Sequence, residues 1–243
     1  MNAIITGGTK GIGLAITERL LKEGLIVIAT YSSDSANAMA IKERLECKYP
    51  GQLSIIQKHL EVESDVRDFV NECREQNLLS AGLDFLVLNA GTTDRTKWNE
   101  ITWDKWEHVM NVNINAPAQL VRELNDFIND KGSILFISSD MSIYPHATSV
   151  PYTVSKAAIN GLTLALVKEY ADKEIRVNAI LPGFVETPWQ KQKPEEQKKR
   201  ICDKVALGRF ANPAEIADIA FDILKSTYIN GSLVKVDGGY CFK

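Results

Sequence analysis

Tyr152 and Lys156 stand four residues apart in Tyr152-Thr153-Val154-Ser155-Lys156, a spacing that puts both on one face of a helix. The ammonium can then sit under the phenol and favour its ionised form. An unperturbed tyrosine has a pKa of about 10, so at neutral pH only about one molecule in a thousand is ionised. Bringing that value near 7 takes roughly 4 kcal/mol, at about 1.36 kcal/mol per tenfold. An exposed pair contributes only about 0–1 kcal/mol. The motif therefore makes sense as a proton donor and acceptor only with a buried lysine and a second cation on a bound cofactor. Taken alone, Tyr-x-x-x-Lys is common by chance, and so is a lone glycine-rich turn. Order and spacing change the odds. Thr6-Gly7-Gly8-Thr9-Lys10-Gly11-Ile12-Gly13 follows the first strand-like run, Ser138-Ser139 closes a later one, and Tyr152 follows Ser139 by thirteen residues.

These groups must be positioned by the elements between them. β-rich runs at 3–6, 26–31, 53–57, 85–89, 133–138, 176–181 and 233–236 alternate with helix-like segments near 12–23, 35–48, 64–77, 103–128, 152–171 and 213–226. That alternation predicts an α/β fold: a single-domain, Rossmann-type, doubly wound parallel sheet of about seven strands with helices on both faces. No repeat, low-complexity tract or Pro/Gly/Ser linker divides the chain, so residues 1–243 read as one domain. The stretch 184–210 breaks the alternation. It holds Pro188, Pro194 and the charged run Glu195-Glu196-Gln197-Lys198-Lys199-Arg200, whose charges alone would make a solvated helix face.

Forty-five per cent hydrophobic and 24% charged residues among 243 describe an ordinary globular chain. A net charge of −3 gives no electrostatic case for nucleic acid or an anionic membrane. No apolar run reaches a membrane span, and a strand starting at Ala3 leaves no room for a signal peptide. Cys47, Cys73, Cys202 and Cys241 lack paired spacing, and His59, His108 and His146 are dispersed. The expectation is a cytoplasmic protein without disulfide framework or metal site.

With these motifs in place, the chain resembles the classical short-chain dehydrogenases/reductases along essentially its whole length. The resemblance rests on the glycine turn Thr6 to Gly13, Asn89-Ala90-Gly91, Asn113, Ser139, Tyr152 with Lys156, Pro182-Gly183 with Thr187, and Asp237-Gly238-Gly239, all in one order. Gly7, Gly11 and Gly13 let the backbone turn sharply and approach a pyrophosphate, with Thr9, Lys10 and Ile12 in the same turn and a helix N-terminus offering its N–H groups. By resemblance, Asn89 braces the sheet edge and Ala90 and Gly91 lie near the adenosine ribose. Val185 and Thr187 would hold the nicotinamide carboxamide. His59-Leu60 departs from the family's acid followed by an apolar residue beside adenine, leaving Leu60 a backbone contact. Tyr31-Ser32-Ser33 puts no acid at the end of the second strand to repel a 2′-phosphate, and Lys10 offers a cation. Asp34 comes about three residues too late to bridge the ribose hydroxyls. NADP(H) is favoured over NAD(H).

The resemblance assigns Ser139 to the carbonyl oxygen, Tyr152 to proton donation, Lys156 to the nicotinamide ribose and to lowering the Tyr152 pKa, and Asn113 to positioning Lys156 through a water. Met141, Tyr144 and His146 would shape the pocket, with 184–210 covering the substrate and Trp189 either lining the pocket or packing in an apolar role. The leading function is NADPH-dependent reduction of a ketone to a secondary alcohol, with a 3-oxoacyl thioester on acyl-carrier protein or coenzyme A as substrate. Leu207-Gly208-Arg209-Phe210, Pro213 to Glu215 and the basic residues near 191–200 support it; Asn129-Asp130-Lys131 is less basic than in carrier-protein reductases, though Lys173 keeps a positive charge. The alternatives are a sugar or other small secondary-alcohol dehydrogenase and a non-catalytic NADP-binding scaffold or sensor. The resemblance further implies a homo-oligomer, a tetramer or dimer.

Overall fold

Strand residues whose neighbours alternate between two faces, all apolar, demand cover on both sides of a sheet. The computed structural model, which describes residues 1–145, 149–191, 193–240 and 242, shows this arrangement. Seven parallel strands, β1 (Asn2–Ile5), β2 (Ile26–Tyr31), β3 (Leu53–Gln57), β4 (Leu83–Leu88), β5 (Ile128–Ile137), β6 (Arg176–Pro182) and β7 (Leu233–Val236), lie in the order β3-β2-β1-β4-β5-β6-β7. Along β1, Ile4 enters one core and Ala3 and Ile5 the other. β4 and β5 repeat the split, with Leu86 and Phe136 on one side and Phe85, Val87, Leu135 and Ile137 on the other.

One face is covered by α1 (Gly11–Lys22), α2 (Ser35–Lys48) and α8 (Pro213–Lys225), through Ile16, Leu20, Leu45, Ile216 and Ile223. The opposite face is covered by α3 (Glu63–Glu75), α5 (Ala116–Glu123) and α6 (Val150–Glu169), through Phe69, Val70, Leu120 and Ile159. The result is one sheet, two cores and a single domain.

Most elements lie within one or two residues of the sequence reading, and two differ by more. The helix expected over 103–128 is three pieces: α4 (Trp103–Met110), a π-helical turn (Asn111–Asn115) and α5. β5 begins at Ile128 rather than at 133, because Ile128 already pairs with Leu83 before a register shift restores the ladder at Ser133. Lys131, at φ 66°, lies within that irregularity. Residues 184–210 form a short 3₁₀ turn (Pro188–Gln190) and α7 (Glu195–Cys202), where Lys198 pairs with Glu195 and Arg200 with Glu196.

The order of strands reverses between β1 and β4. In an open parallel sheet the crevice beyond the carboxyl ends at such a point is where ligands bind.

Candidate active site

At that switch point the chain must turn from β1 into α1 within a few residues. Gly7 does so at φ +65°, in the left-handed region that suits glycine. Gly13 faces back onto the same turn, and a Cβ there would stand 2.2 Å from the Gly7 carbonyl oxygen and 2.5 Å from Asn89 Nδ2. The turn is therefore closed tightly against the start of the loop after β4. Asn89 locks the two together: its Nδ2 donates to the carbonyls of Thr6 (2.9 Å) and Gly7 (3.1 Å). Thr6 Oγ1 in turn accepts the N–H groups of Asn89 and Ala90, both at 3.0 Å. Thr6 was not singled out from the sequence, since a threonine before a glycine turn carries no signal of its own.

A cleft of about 820 Å³ opens above this turn. Gly7, Thr9, Lys10, Gly11, Ile12, Tyr31, Ser32, Leu60, Asn89, Ala90, Gly91, Pro182, Gly183, Val185 and Thr187 line it, as do Ser139, Tyr152 and Lys156. Gly13 shapes the turn from behind without lining the cleft. A single groove thus joins the glycine turn to the Tyr–Lys helix and is of the size that holds a bound organic molecule. Asp34 caps α2 by accepting the Asn37 N–H at 3.2 Å, so its carboxylate is engaged with the helix N-terminus.

At the far end of the groove the two serines part company. Ser138 Oγ donates to the Asn160 side chain at 2.8 Å and to the Lys156 carbonyl at 3.1 Å, tying β5 to α6. Ser139 faces the cleft, accepts the Met141 N–H at 3.2 Å and donates to Asp140 Oδ1 at 3.3 Å. It is also hydrogen-bonded to Tyr152. Both serines line the cleft, and Ser138 Oγ is the one committed to α6.

The protein's own groups act on the two side chains chiefly through burial, and the effect of Lys156 on Tyr152 expected from the sequence belongs to a site that also holds a cationic cofactor. Burial, opposed by the Ser139 hydrogen bond and reinforced by the charge of Asp140, pushes the Tyr152 phenol up to about 12. Burial likewise pulls the Lys156 ammonium down to about 8. Lys156 Nζ donates to the Ile137 carbonyl at 2.7 Å and lies 5.7 Å from the Tyr152 ring centroid. For both groups desolvation is the largest cause of the shift.

Asn113 is held by direct bonds to two neighbouring elements. Its Nδ2 donates to the Thr92 carbonyl and to Ser155 Oγ, both at 2.9 Å, and its Oδ1 accepts the Thr92 N–H at 2.8 Å. The π-helical turn is what aims it inward, and its bonds run to other elements rather than locally. Asn113 and Lys156 meet at Gly91, where a Cβ would lie 3.3 Å from Asn113 Oδ1 and 3.6 Å from Lys156 Nζ. Asp140, buried between Ser139 and Tyr152, was missed because an acid after a serine pair has no motif value.

Trp189 and Met141 line the cleft, the former edge-on to Tyr152 at 6.2 Å. Tyr144 instead lies under Lys235, whose Nζ is 5.1 Å from its ring, away from the pocket. His146 and Cys241 lie outside the described residues.

The family model for short chain dehydrogenases matches residues 1–198. The chain belongs to that family. Among its relatives, the 3-oxoacyl-[acyl-carrier-protein] reductase of Aquifex aeolicus is 33% identical over 98% of this chain and 96% of its own length. Glucose 1-dehydrogenase 2 of Bacillus subtilis is 32% identical over 98% of this chain and 93% of its own. A short-chain dehydrogenase from Burkholderia cenocepacia, solved in complex with NADP, superposes with a TM-score of 0.90 at 26% identity, covering 98% of this chain and 96% of that one. This short-chain dehydrogenase is accordingly an NAD(P)-dependent oxidoreductase. Among its described residues no group of His, Cys, Asp and Glu could hold a metal, and no helix is long and apolar enough to cross a membrane.

Proposed function

We propose that the enzyme reduces a ketone to a secondary alcohol with NADPH, and that the ketone is a 3-oxoacyl thioester. The observation that carries the reading is the meeting of Ser139 and Tyr152 hydroxyls at one end of a groove whose other end is the glycine turn. When bound, the reduced nicotinamide supplies hydride. Tyr152 donates its proton to the carbonyl oxygen, and Ser139 Oγ donates a hydrogen bond to the same oxygen. The phenol carries the proton to be given at neutral pH, but burial that raises it to about 12 makes it a weaker acid than free tyrosine, so transfer depends on positive charge from Lys156 and the bound cofactor to bring it nearer the operating pH. The buried Lys156 ammonium reaches toward the nicotinamide ribose and, with the oxidised ring, favours phenolate in the reverse direction. Asn113 is a positioning residue that holds the Thr92 backbone and the Ser155 side chain beside Lys156. Trp189 and the segment 184–210 cover the substrate.

Gly7, Gly11 and Ile12 at the start of α1 would cradle the pyrophosphate, and Ala90, Gly91, Val185 and Thr187 the ribose and nicotinamide ends. NADPH is favoured because Tyr31, Ser32 and Ser33 carry no negative charge and Lys10 lines the groove; Asp34 also lines it, with Oδ1 engaged by the Asn37 N–H. The name of the Aquifex relative supports the thioester, as does the net positive charge of residues 191–200. A glucose dehydrogenase at similar identity keeps the sugar or small-alcohol reading in view, and an intact Ser139, Tyr152 and Lys156 argues against a non-catalytic scaffold. The same reading makes the protein a cytoplasmic homo-oligomer. The deciding experiment is a panel of 3-oxoacyl thioesters, sugars and steroid ketones with both cofactors. Thioesters with NADPH should give the highest kcat/KM; a sugar or steroid turning over far faster than every thioester would overturn the substrate assignment.

A further inference from the structure

The cleft that holds Ser139 and Tyr152 is also lined by the loop after β4 and by the segment leading into α7. Two cations line it there, Arg95 from the loop and Lys193 from the segment. Neither side chain has an ion-pair or hydrogen-bond partner among the described residues. Their neighbours do. Asp94 accepts the Thr96 N–H at 2.8 Å and lies 3.7 Å from Lys105, and Lys198 and Arg200 on α7 are paired with Glu195 and Glu196. Exposed lysines and arginines are usually just solvated. These two instead stand together in one cavity, close enough that the charge of Arg95 adds to burial in holding the Lys193 ammonium below its ordinary value. Two converging like charges repel, and an anion seated between them relieves the repulsion.

We propose that Arg95 and Lys193 together grip an anionic group, a phosphate or a carboxylate, carried by the substrate whose carbonyl faces Tyr152. This rests on the ketone-reductase reading but does not require a thioester. The anion is either the phosphate of a pantetheine arm or the carboxylate of a free oxo acid. A planar guanidinium suits either through paired N–H donors, with the ammonium as a second point charge.

The test uses the full chain with NADPH and three probes: acetoacetyl-coenzyme A, its phosphate-free N-acetylcysteamine analogue, and acetoacetate. The double variant Arg95→Gln/Lys193→Gln should lower the ratio of kcat/KM for coenzyme A thioester over analogue by about tenfold or more, chiefly through KM. Arg95→Lys should retain most of that ratio, and in the unaltered enzyme the ratio should fall as salt rises. If acetoacetate alone is reduced and the double variant raises its KM about tenfold, the grip is on a carboxylate and the thioester reading fails. If both thioesters are reduced and the ratio does not move in the double variant or with salt, the grip is wrong and the thioester reading stands.

Discussion

Replacing Lys156 with methionine should destroy turnover and stabilise the fold at neutral pH. Lys156 is only 5% exposed, and burial lowers its ammonium from 10.5 to about 8. At roughly 1.36 kcal/mol per tenfold, keeping that charge in the folded protein at pH 7 costs about 3 kcal/mol. Methionine fills much of the same space without the charge, but forfeits the 2.7 Å bond from Nζ to the Ile137 carbonyl, worth about 1 kcal/mol net. The variant should then gain roughly 2 kcal/mol at pH 7, which for a chain of this size raises Tm by about 4–8 °C. The sign of the pH dependence follows from linkage. The folded state holds this proton less tightly than the unfolded chain, so the penalty is fully present below about pH 8. It is relieved as pH rises toward 10.5, where unfolded lysine also loses its proton. Over that window the natural protein regains stability that the variant never lacked, and near pH 10.5 the variant should be equal or about 1 kcal/mol less stable. Urea unfolding at pH 7 and pH 10.5, with ketone-dependent NADPH oxidation measured alongside, checks both halves. A variant clearly less stable at pH 7, or an unchanged difference at the two pH values, would refute the reasoning.

Tyr152→Phe should lose at least about 10²-fold in kcat while cofactor still binds, since the glycine turn is untouched; retained turnover on an active substrate would remove Tyr152 from its role. Lys10→Ala should weaken NADPH about ten- to a hundredfold and NADH far less, because only the former has a 2′-phosphate to lose; fluorescence titration with both cofactors decides this, and equal weakening would move the selectivity to Ser32 or elsewhere. Asn113→Ala strips partners from the Thr92 N–H and carbonyl and from Ser155, at a cost of about 2–3 kcal/mol. Calorimetry should show Tm lower by about 4 °C or more, and an unchanged Tm would mean that water replaces the amide without loss.

Much of the architecture was legible because two signals coincide in it. The bounds of β2, β3, β7 and α2 follow from β-branched apolar runs alternating with helical stretches, and the structure reproduces them. The 103–128 stretch failed because an apolar periodicity records which residues are buried, not whether an extra residue is wound into a turn. The π-helical turn that aims Asn113 at Thr92 and Ser155 is invisible in such a pattern. The early start of β5 was hidden for a related reason: Asn129-Asp130-Lys131-Gly132 reads as a turn, and only the pairing of Ile128 with Leu83 makes it part of a strand. Tyr144 was misplaced because position between Ser139 and Tyr152 says nothing about direction, and its ring ends under Lys235.

The sequence by itself determined the family, the order of the strands' chemistry and which residues could react. Glycine, serine, tyrosine and lysine at those spacings carry local geometry: a turn, a strand end and one face of a helix. The tertiary structure decided how those groups behave. Ser138 and Ser139 are chemically alike and both line the cleft, and only the packing of β5 against α6 commits the Ser138 hydroxyl to Asn160 while the Ser139 hydroxyl bonds Asp140 and Tyr152. The Tyr152 phenol is pushed up to about 12 and the Lys156 ammonium down to about 8, in both cases first by burial. That burial is a sum over many distant residues, and the spacing of two of them does not contain it.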